Sequence, residues 1–132
     1  MNKTPRNAVV VEDNAQVRKL INVVLNSLGI ENIIEADNGE KAIAALKATP
    51  VDIIIMDWKM DVMDGLECTR RIRAGIEGID ASTPILLLTS AEGPEAEASA
   101  FAAGVDLFMV KPFSIKSLYG GISKILNVSK GA

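Results

Sequence analysis

The sequence predicts a doubly wound α/β domain built on five parallel strands. Three observations carry that prediction. Five short segments rich in β-branched and aliphatic residues recur along the chain. Successive segments are separated by helix-length stretches with apolar residues three and four apart. Two of the five, Ile53-Ile54-Ile55-Met56 and Ile85-Leu86-Leu87-Leu88, are unbroken apolar runs. Strands joined through helices run parallel with right-handed crossovers, and a strand apolar at every position belongs in the middle of a sheet covered on both faces.

Each element has its own local reason. The first strand is expected over 8–11 and the helix after it over 14–28, where Val17, Leu20, Ile21, Val24 and Leu28 share a face. Asn14 can cap the start of that helix, and Gly29 stands where a left-handed C-terminal residue belongs. The second strand is expected over 32–35, then a helix over 39–48, capped by Asn38, stopped before Pro50, with Ala42, Ile43 and Leu46 facing inward.

The third strand is expected over 52–56. Its helix begins near Asp64, which has capping-box spacing to Glu67, and ends at Gly75. The fourth strand, over 84–88, leads into an Ala-rich helix over 94–103 that Gly104 stops. The fifth strand, over 106–110, precedes a helix starting after Ser114 with Ile115, Leu118, Tyr119, Ile122, Ile125 and Leu126 on one face. Within that last helix Gly120 and Gly121 are expected on the exposed side with Ser117 and Lys124, as a flat landing site for a partner or as a bend. No repeat, low-complexity tract or linker interrupts the series, so residues 1–132 read as one domain with a core of about 8–126, short tails and no appended output domain.

Composition narrows the chemistry. Of 132 residues 48% are hydrophobic and 23% charged, and 14 Lys and Arg against 17 Asp and Glu give a net charge of −3. No basic excess exists to neutralise a nucleic-acid backbone. With no His, the chain has no imidazole base, no His-ligated metal and no phosphohistidine of its own. The single cysteine, Cys68, allows neither an internal disulfide nor a cysteine-rich zinc site and reads as a small apolar helix residue. The longest apolar runs are of strand length, so no membrane span is expected and the chain is read as soluble, cytoplasmic and monomeric.

In an open α/β sheet, ligands bind beyond the carboxyl ends of the strands. Here those ends carry Glu12 and Asp13 after the first strand, Asp57 after the third, Thr89 and Ser90 after the fourth, and Lys111 before Pro112 after the fifth. Three carboxylates brought together repel by roughly 1 kcal/mol per pair even in a water-like dielectric. A hard divalent cation compensates best, and an oxygen-only donor set without His or Cys selects Mg²⁺. Alone, Glu12 and Asp13 would equally suit a solvated turn and helix cap.

The whole constellation resembles the receiver domain of bacterial response regulators. The resemblance runs from Ala8 to about Leu126 and rests on the Glu12-Asp13 pair, Asp57, Met63-Asp64-Gly65, Thr89, Ala103-Gly104, Phe108 and Lys111-Pro112-Phe113; the run Asp57-Trp58-Lys59-Met60 is similar to chemotaxis receivers. It implies a flavodoxin-like strand order 2-1-3-4-5 with helices on both faces. It also implies that Asp57 is a nucleophile that takes a phosphoryl group from a sensor histidine kinase, a histidine phosphotransfer protein or a small acyl phosphate. Glu12, Asp13, Asp57 and the Lys59 backbone carbonyl would hold Mg²⁺, while Thr89 and Lys111 would each bind a phosphoryl oxygen. Lys111-Pro112 matches the family's cis peptide. Thr89 and Phe108 match its switch pair, through which phosphorylation alters the surface of the fourth helix, fifth strand and fifth helix for a downstream protein, the flagellar motor switch or another effector.

Three positions depart from the family pattern. Glu12 replaces the commoner Asp and is expected to reach the metal through water. Asp61 replaces the usual Pro, and Lys59, two residues beyond the nucleophile, either reaches the phosphoryl group or a carboxylate or points to solvent. Ala91, two residues past Thr89, has no polar group to orient a hydrolytic water, which predicts slow self-dephosphorylation. A phosphohydrolase would carry an acid where Lys59 stands, and a flavodoxin-like FMN site would be repelled by Glu12 and Asp13. The competing readings that remain are a degenerate receiver acting as a constitutive binding module and a phosphate sink.

Overall fold

The computed structural model describes residues 6–60, 62–76, 78–90 and 93–129, the side chains only as far as 126. Five strands, β1 (Arg6–Val11), β2 (Ile30–Ala36), β3 (Ile53–Asp57), β4 (Ile85–Thr89) and β5 (Leu107–Val110), alternate with five helices, α1 (Ala15–Ser27), α2 (Gly39–Ala48), α3 (Gly65–Arg73), α4 (Pro94–Ala103) and α5 (Ile115–Ser129). All pairings are parallel and the sheet order is β2-β1-β3-β4-β5. This is the doubly wound, flavodoxin-like arrangement.

Side-chain alternation along the strands divides the core in two. Val9, Val11, Ile54, Met56, Ile85 and Leu87 face α2, α3 and α4, meeting Ala42, Leu46, Leu66, Ile72 and Ala100. Ala8, Val10, Ile53, Ile55, Leu86 and Leu88 face α1 and α5, meeting Ile21, Val24, Leu25, Leu118 and Ile122. The two apolar runs expected at the centre of the sheet are fully buried. Each such aliphatic side chain contributes about 1.5–3 kcal/mol from burial. At the edge of the sheet, every residue of β5 is only half-buried.

Several boundaries differ from the expectation. The third and fourth strands run one residue further, to Asp57 and Thr89, because the parallel ladder continues through them: Asp57 pairs with Leu88 and Thr89 with Val110. The second strand extends from Ile30 to Ala36 because its pairing with β1 reaches both of these residues, with one register shift that leaves Glu31 unmatched on β1. The first strand begins earlier, at Arg6, and the fifth begins one residue later, at Leu107. Asp106 is diverted there, its carboxylate accepting the Ile85 N–H at 2.8 Å. The first helix starts and stops inside its two caps, Asn14 and Leu28. The third helix ends at Arg73 rather than at Gly75. Of its capping box only half forms: Asp64 accepts the Glu67 N–H at 2.8 Å, while the Glu67 carboxylate turns to Arg71 at 3.0 Å.

The last helix corrects a larger expectation. Its buried stripe is Leu118, Ile122, Ile125 and Leu126, whereas Ile115 and Tyr119 are exposed. Gly121 belongs to the packed side, since a Cβ built there would stand 2.9 Å from Leu107 Cδ2 and 3.2 Å from Met109 Sδ. The stripe therefore runs through 118, 121, 122 and 125, and Ile115 and Tyr119 fall on its flank. Gly121 cannot be part of an exposed landing site; Gly120, with nothing within 4 Å of its notional Cβ, is exposed.

The amino ends of the strands also hold a polar network that the sequence reading missed. The Arg73 guanidinium donates to the carbonyls of Gly104 (2.8 Å), Ala81 (2.7 Å) and Thr83 (2.7 Å) and pairs with the Asp106 carboxylate (2.8 Å). It ties the end of α3 to the end of α4 and the start of β5. No described helix is long and apolar enough to cross a membrane.

Candidate functional site

Parallel strands deliver their carboxyl ends to one edge, and that edge gathers the expected residues. β1 runs into Glu12 and Asp13, β3 ends on Asp57, β4 ends on Thr89, and Lys111 follows β5. One carboxylate oxygen from each of Glu12, Asp13 and Asp57 lies within 4.8 Å of the others. The Lys111 Nζ sits between two of them, 2.9 Å from Glu12 Oε1 and 3.2 Å from Asp57 Oδ2. Burial by itself would lower the pKa of this ammonium, but the hydrogen bond to Glu12 and the charge of Asp57 prevail and hold it above the ordinary lysine value. Lys111 therefore stays cationic and offsets part of the carboxylate repulsion.

The three acids are not equivalent. Glu12 and Asp57 are buried, at 1% and 8% exposure, while Asp13 is exposed and, among the described residues, its carboxylate has no hydrogen-bond or ion-pair partner. Glu12 Oε2 accepts the Asn14 N–H at 3.0 Å, and the Asn14 side chain caps α1 by accepting from Gln16 and Val17. Arg18, on the first turn of α1, donates to the Glu12 carbonyl at 2.7 Å and pairs with Glu35 at 3.0 Å. Sequence reasoning passed over Arg18. Its position one turn beyond the Asn14 cap, on the side of the acidic pair, was the available signal.

Thr89 is buried, and its carbonyl accepts the Lys111 N–H at 2.7 Å, which fixes the lysine backbone to the end of β4. The Lys111-Pro112 peptide is cis. Phe108 is half-buried and packs on the core shared by α2, α3 and α4. Lys59 is exposed and pairs with none of the three carboxylates, so its side chain lies outside the cluster. Asp61 and Ala91 lie outside the described residues. Cys68 is fully buried, and that burial pushes its thiol up to about 12, as befits an inert core residue.

The loop between β3 and α3 is tightly held at both ends. The Gly65 N–H donates to the Trp58 carbonyl at 2.7 Å, and Gly65 packs directly on the backbone of Asp57. Between them Val62 adopts φ 72°, in the left-handed region that β-branched residues seldom enter. The donor set of Glu12, Asp13 and Asp57 is all oxygen, which suits a hard cation such as Mg²⁺. Beside Lys111 an open, mainly apolar groove of about 580 Å³ runs between α1 and the segment after β5, lined by Gln16, Val17, Leu20, Pro112 and Phe113.

Comparison with known proteins agrees with this geometry. The family model of the response regulator receiver domain matches residues 8–123. A chemotaxis protein CheY homolog of Campylobacter jejuni is 33% identical over 93% of this chain and 94% of its own length. Among solved structures, Vibrio cholerae CheY4 is 29% identical, with a TM-score of 0.83 over 93% of this chain and 100% of its own. A receiver domain of a Pseudomonas aeruginosa sensor histidine kinase, with magnesium coordinated in its active-site cleft, is 27% identical, with a TM-score of 0.80 over 94% of this chain and 99% of its own. Its fold, the ordered set of residues at its strand ends and these relatives together make the chain a member of the response regulator receiver family, of the CheY-like kind.

Proposed function

We propose that Asp57 accepts a phosphoryl group from the phosphohistidine of a sensor histidine kinase or histidine phosphotransfer protein, and that the modified domain then binds a different protein partner. The observation that carries this reading is the Lys111 ammonium held at 2.9 Å from Glu12 and 3.2 Å from Asp57 at the edge where Asp13 also lies. An Asp57 oxygen attacks phosphorus, the O–P bond forms, and the N–P bond breaks with its electron pair returning to the donor imidazole. Glu12, Asp13 and Asp57, with the Lys59 carbonyl, would hold Mg²⁺, which would supply charge neutralisation for the transferring group. Lys111 takes one phosphoryl oxygen and the Thr89 hydroxyl another.

The apolar groove beside Lys111 supports an approach by the donor over α1. Exposed Phe101, Ile115 and Tyr119 around half-buried β5 support protein binding on the α4, β5 and α5 face, with Thr89 and Phe108 as the switch. Likeness to chemotaxis receivers supports the flagellar motor switch as that partner. Trp58 adjoins Asp57 and is the only tryptophan. The test is a Trp58 fluorescence titration with Mg²⁺ and then beryllofluoride, an acyl-phosphate mimic, in wild type and Asp57→Asn. A saturable Mg²⁺ response followed by a beryllofluoride response lost in the variant is expected. Silence in a folded wild type would instead favour a constitutive binding module.

A further inference from the structure

Resting on the reading of the acidic cluster as a cation site, we infer that Gly39, the first residue of α2, is a positioning residue that sets the spacing between the acidic turn after β1 and the loop that follows Asp57. The connection from β2 to α2 is fastened to both. On one side the Glu12 N–H donates to the Ala36 carbonyl at 3.3 Å, and Arg18 links the Glu12 carbonyl at 2.7 Å to the Glu35 carboxylate at 3.0 Å. On the other side the backbone of Gly39 lies against Met63. A Cβ built at position 39 would stand 2.9 Å from the Met63 carbonyl oxygen and 3.1 Å from its Cβ and Cγ. The Cys68 thiol, on α3, also donates to the Gly39 carbonyl, at 3.8 Å.

Neither side of the Gly39 contact yields cheaply. Behind Gly39 the helix is seated by buried Ala42, Ile43 and Leu46. Behind Met63, itself buried, Gly65 already lies on Asp57, where a Cβ would stand 2.5 Å from the Asp57 carbonyl oxygen. Close backbone contact thus runs from Gly39 to Met63, along the chain to Gly65, and from there to Asp57, and only a residue without a side chain permits it at position 39. A methyl there needs about half an ångström more room, the difference between 2.9 Å and the 3.4 Å at which ordinary contact begins. The shift is passed to the loop beside Asp57. A cation that demands near-ideal octahedral geometry tolerates little of it, and half an ångström is the margin within which a preorganised site keeps its function. Gly39 itself offers no group to the site; it acts through Met63 and Gly65.

The test is the Mg²⁺ midpoint of Trp58 fluorescence in wild type, Gly39→Ala and Gly121→Ala, each under conditions where it is fully folded. Gly121→Ala is a packing defect on α5, remote from the acidic turn, and serves as the control for lost stability. Gly39→Ala should weaken Mg²⁺ binding about tenfold while Gly121→Ala leaves it unchanged. An unchanged midpoint in Gly39→Ala, or equal weakening in both variants, would overturn the positioning role. Should Gly39→Ala fail to fold, the wild type decides, because coupling between two places is reciprocal. Saturating Mg²⁺ should slow hydrogen exchange of the Lys41 and Ala42 amides, which are bonded to Asn38 at the start of α2, at least threefold more than that of the Lys124 amide on α5. Equal slowing would overturn the inference. The wild-type Mg²⁺ response separates the two levels: its absence rejects the cation site and the positioning role with it, while its presence with an unshifted Gly39→Ala midpoint rejects the positioning role alone.

Discussion

Gly65 lies directly on Asp57: a Cβ at position 65 would stand 2.5 Å from the Asp57 carbonyl oxygen, with Leu87 Cδ1 at 2.9 Å and the Trp58 Cα at 3.0 Å. Two of these three neighbours are backbone and cannot move aside cheaply. The first turn of α3 is therefore seated against the proposed phosphoacceptor itself, and the Gly65 N–H bond to the Trp58 carbonyl at 2.7 Å closes the loop. Gly65→Ala should destabilise the fold by about 1–3 kcal/mol through overpacking. It should also displace Asp57 enough to weaken the beryllofluoride response; urea unfolding and Trp58 titration of one sample measure both. Unchanged stability would contradict the packing described.

The two adjacent glycines of α5 should behave oppositely. Gly120→Ala removes backbone freedom from the unfolded chain at an open position, and should stabilise by up to about 1 kcal/mol. Gly121→Ala drives a methyl toward the side-chain ends Leu107 Cδ2 and Met109 Sδ at 2.9 and 3.2 Å, and pushing them aside should outweigh the helix-propensity gain for a net cost of up to about 1 kcal/mol. Thermal melts of the two single variants give the sign of each.

Val62 offers a position where stability can be gained. Its φ of 72° in an exposed setting costs a β-branched residue on the order of 1 kcal/mol. Val62→Asn, which tolerates that backbone region, should raise the unfolding free energy by a comparable amount, read as a higher urea midpoint at unchanged slope.

Arg73 makes four contacts from one guanidinium, to Gly104, Ala81, Thr83 and Asp106. Arg73→Ala should cost about 2–4 kcal/mol, because the carboxylate and carbonyls it serves lose a charged donor. Arg73→Lys should restore less than half of that, since an ammonium lacks the planar fork. Equilibrium denaturation of the three proteins decides it.

Cys68 gives a pH signature. Its folded pKa is raised from 9.0 to about 12 because burial disfavours the thiolate. The folded state therefore holds the proton more tightly than the unfolded state. Its contribution to stability is intact below pH 9.0 and is lost as pH climbs from 9.0 toward about 12. Over that window the denaturation midpoint of Cys68→Ala should fall less steeply than that of wild type, and the native thiol should resist a thiol-specific reagent at pH 8 until urea unfolds the chain.

Much of the site was legible before the fold was known. The acidic pair, Asp57, Thr89 and Lys111 all stand where apolar strand patterns stop, and parallel topology obliges such residues to share an edge. Less was legible in the surroundings. Arg18 and Arg73 look like ordinary helix-surface cations in one dimension, and nothing local marks Gly121 as packed and Gly120 as open.

The sequence by itself determined the alternation of elements, the inventory at the strand ends and the nucleophile to test, because periodicity, caps and strand termini are properties of neighbouring residues. Only the tertiary structure decided which groups pair. Glu12 and Lys111 are 99 positions apart, and their 2.9 Å contact exists because β1 and β5 end at the same edge of one sheet. In the same way, whether Lys59 turns inward and which side of α5 meets β5 depend on crossing geometry between elements remote in sequence. Packing interfaces and the directions of long side chains are set by that geometry, which no local pattern encodes.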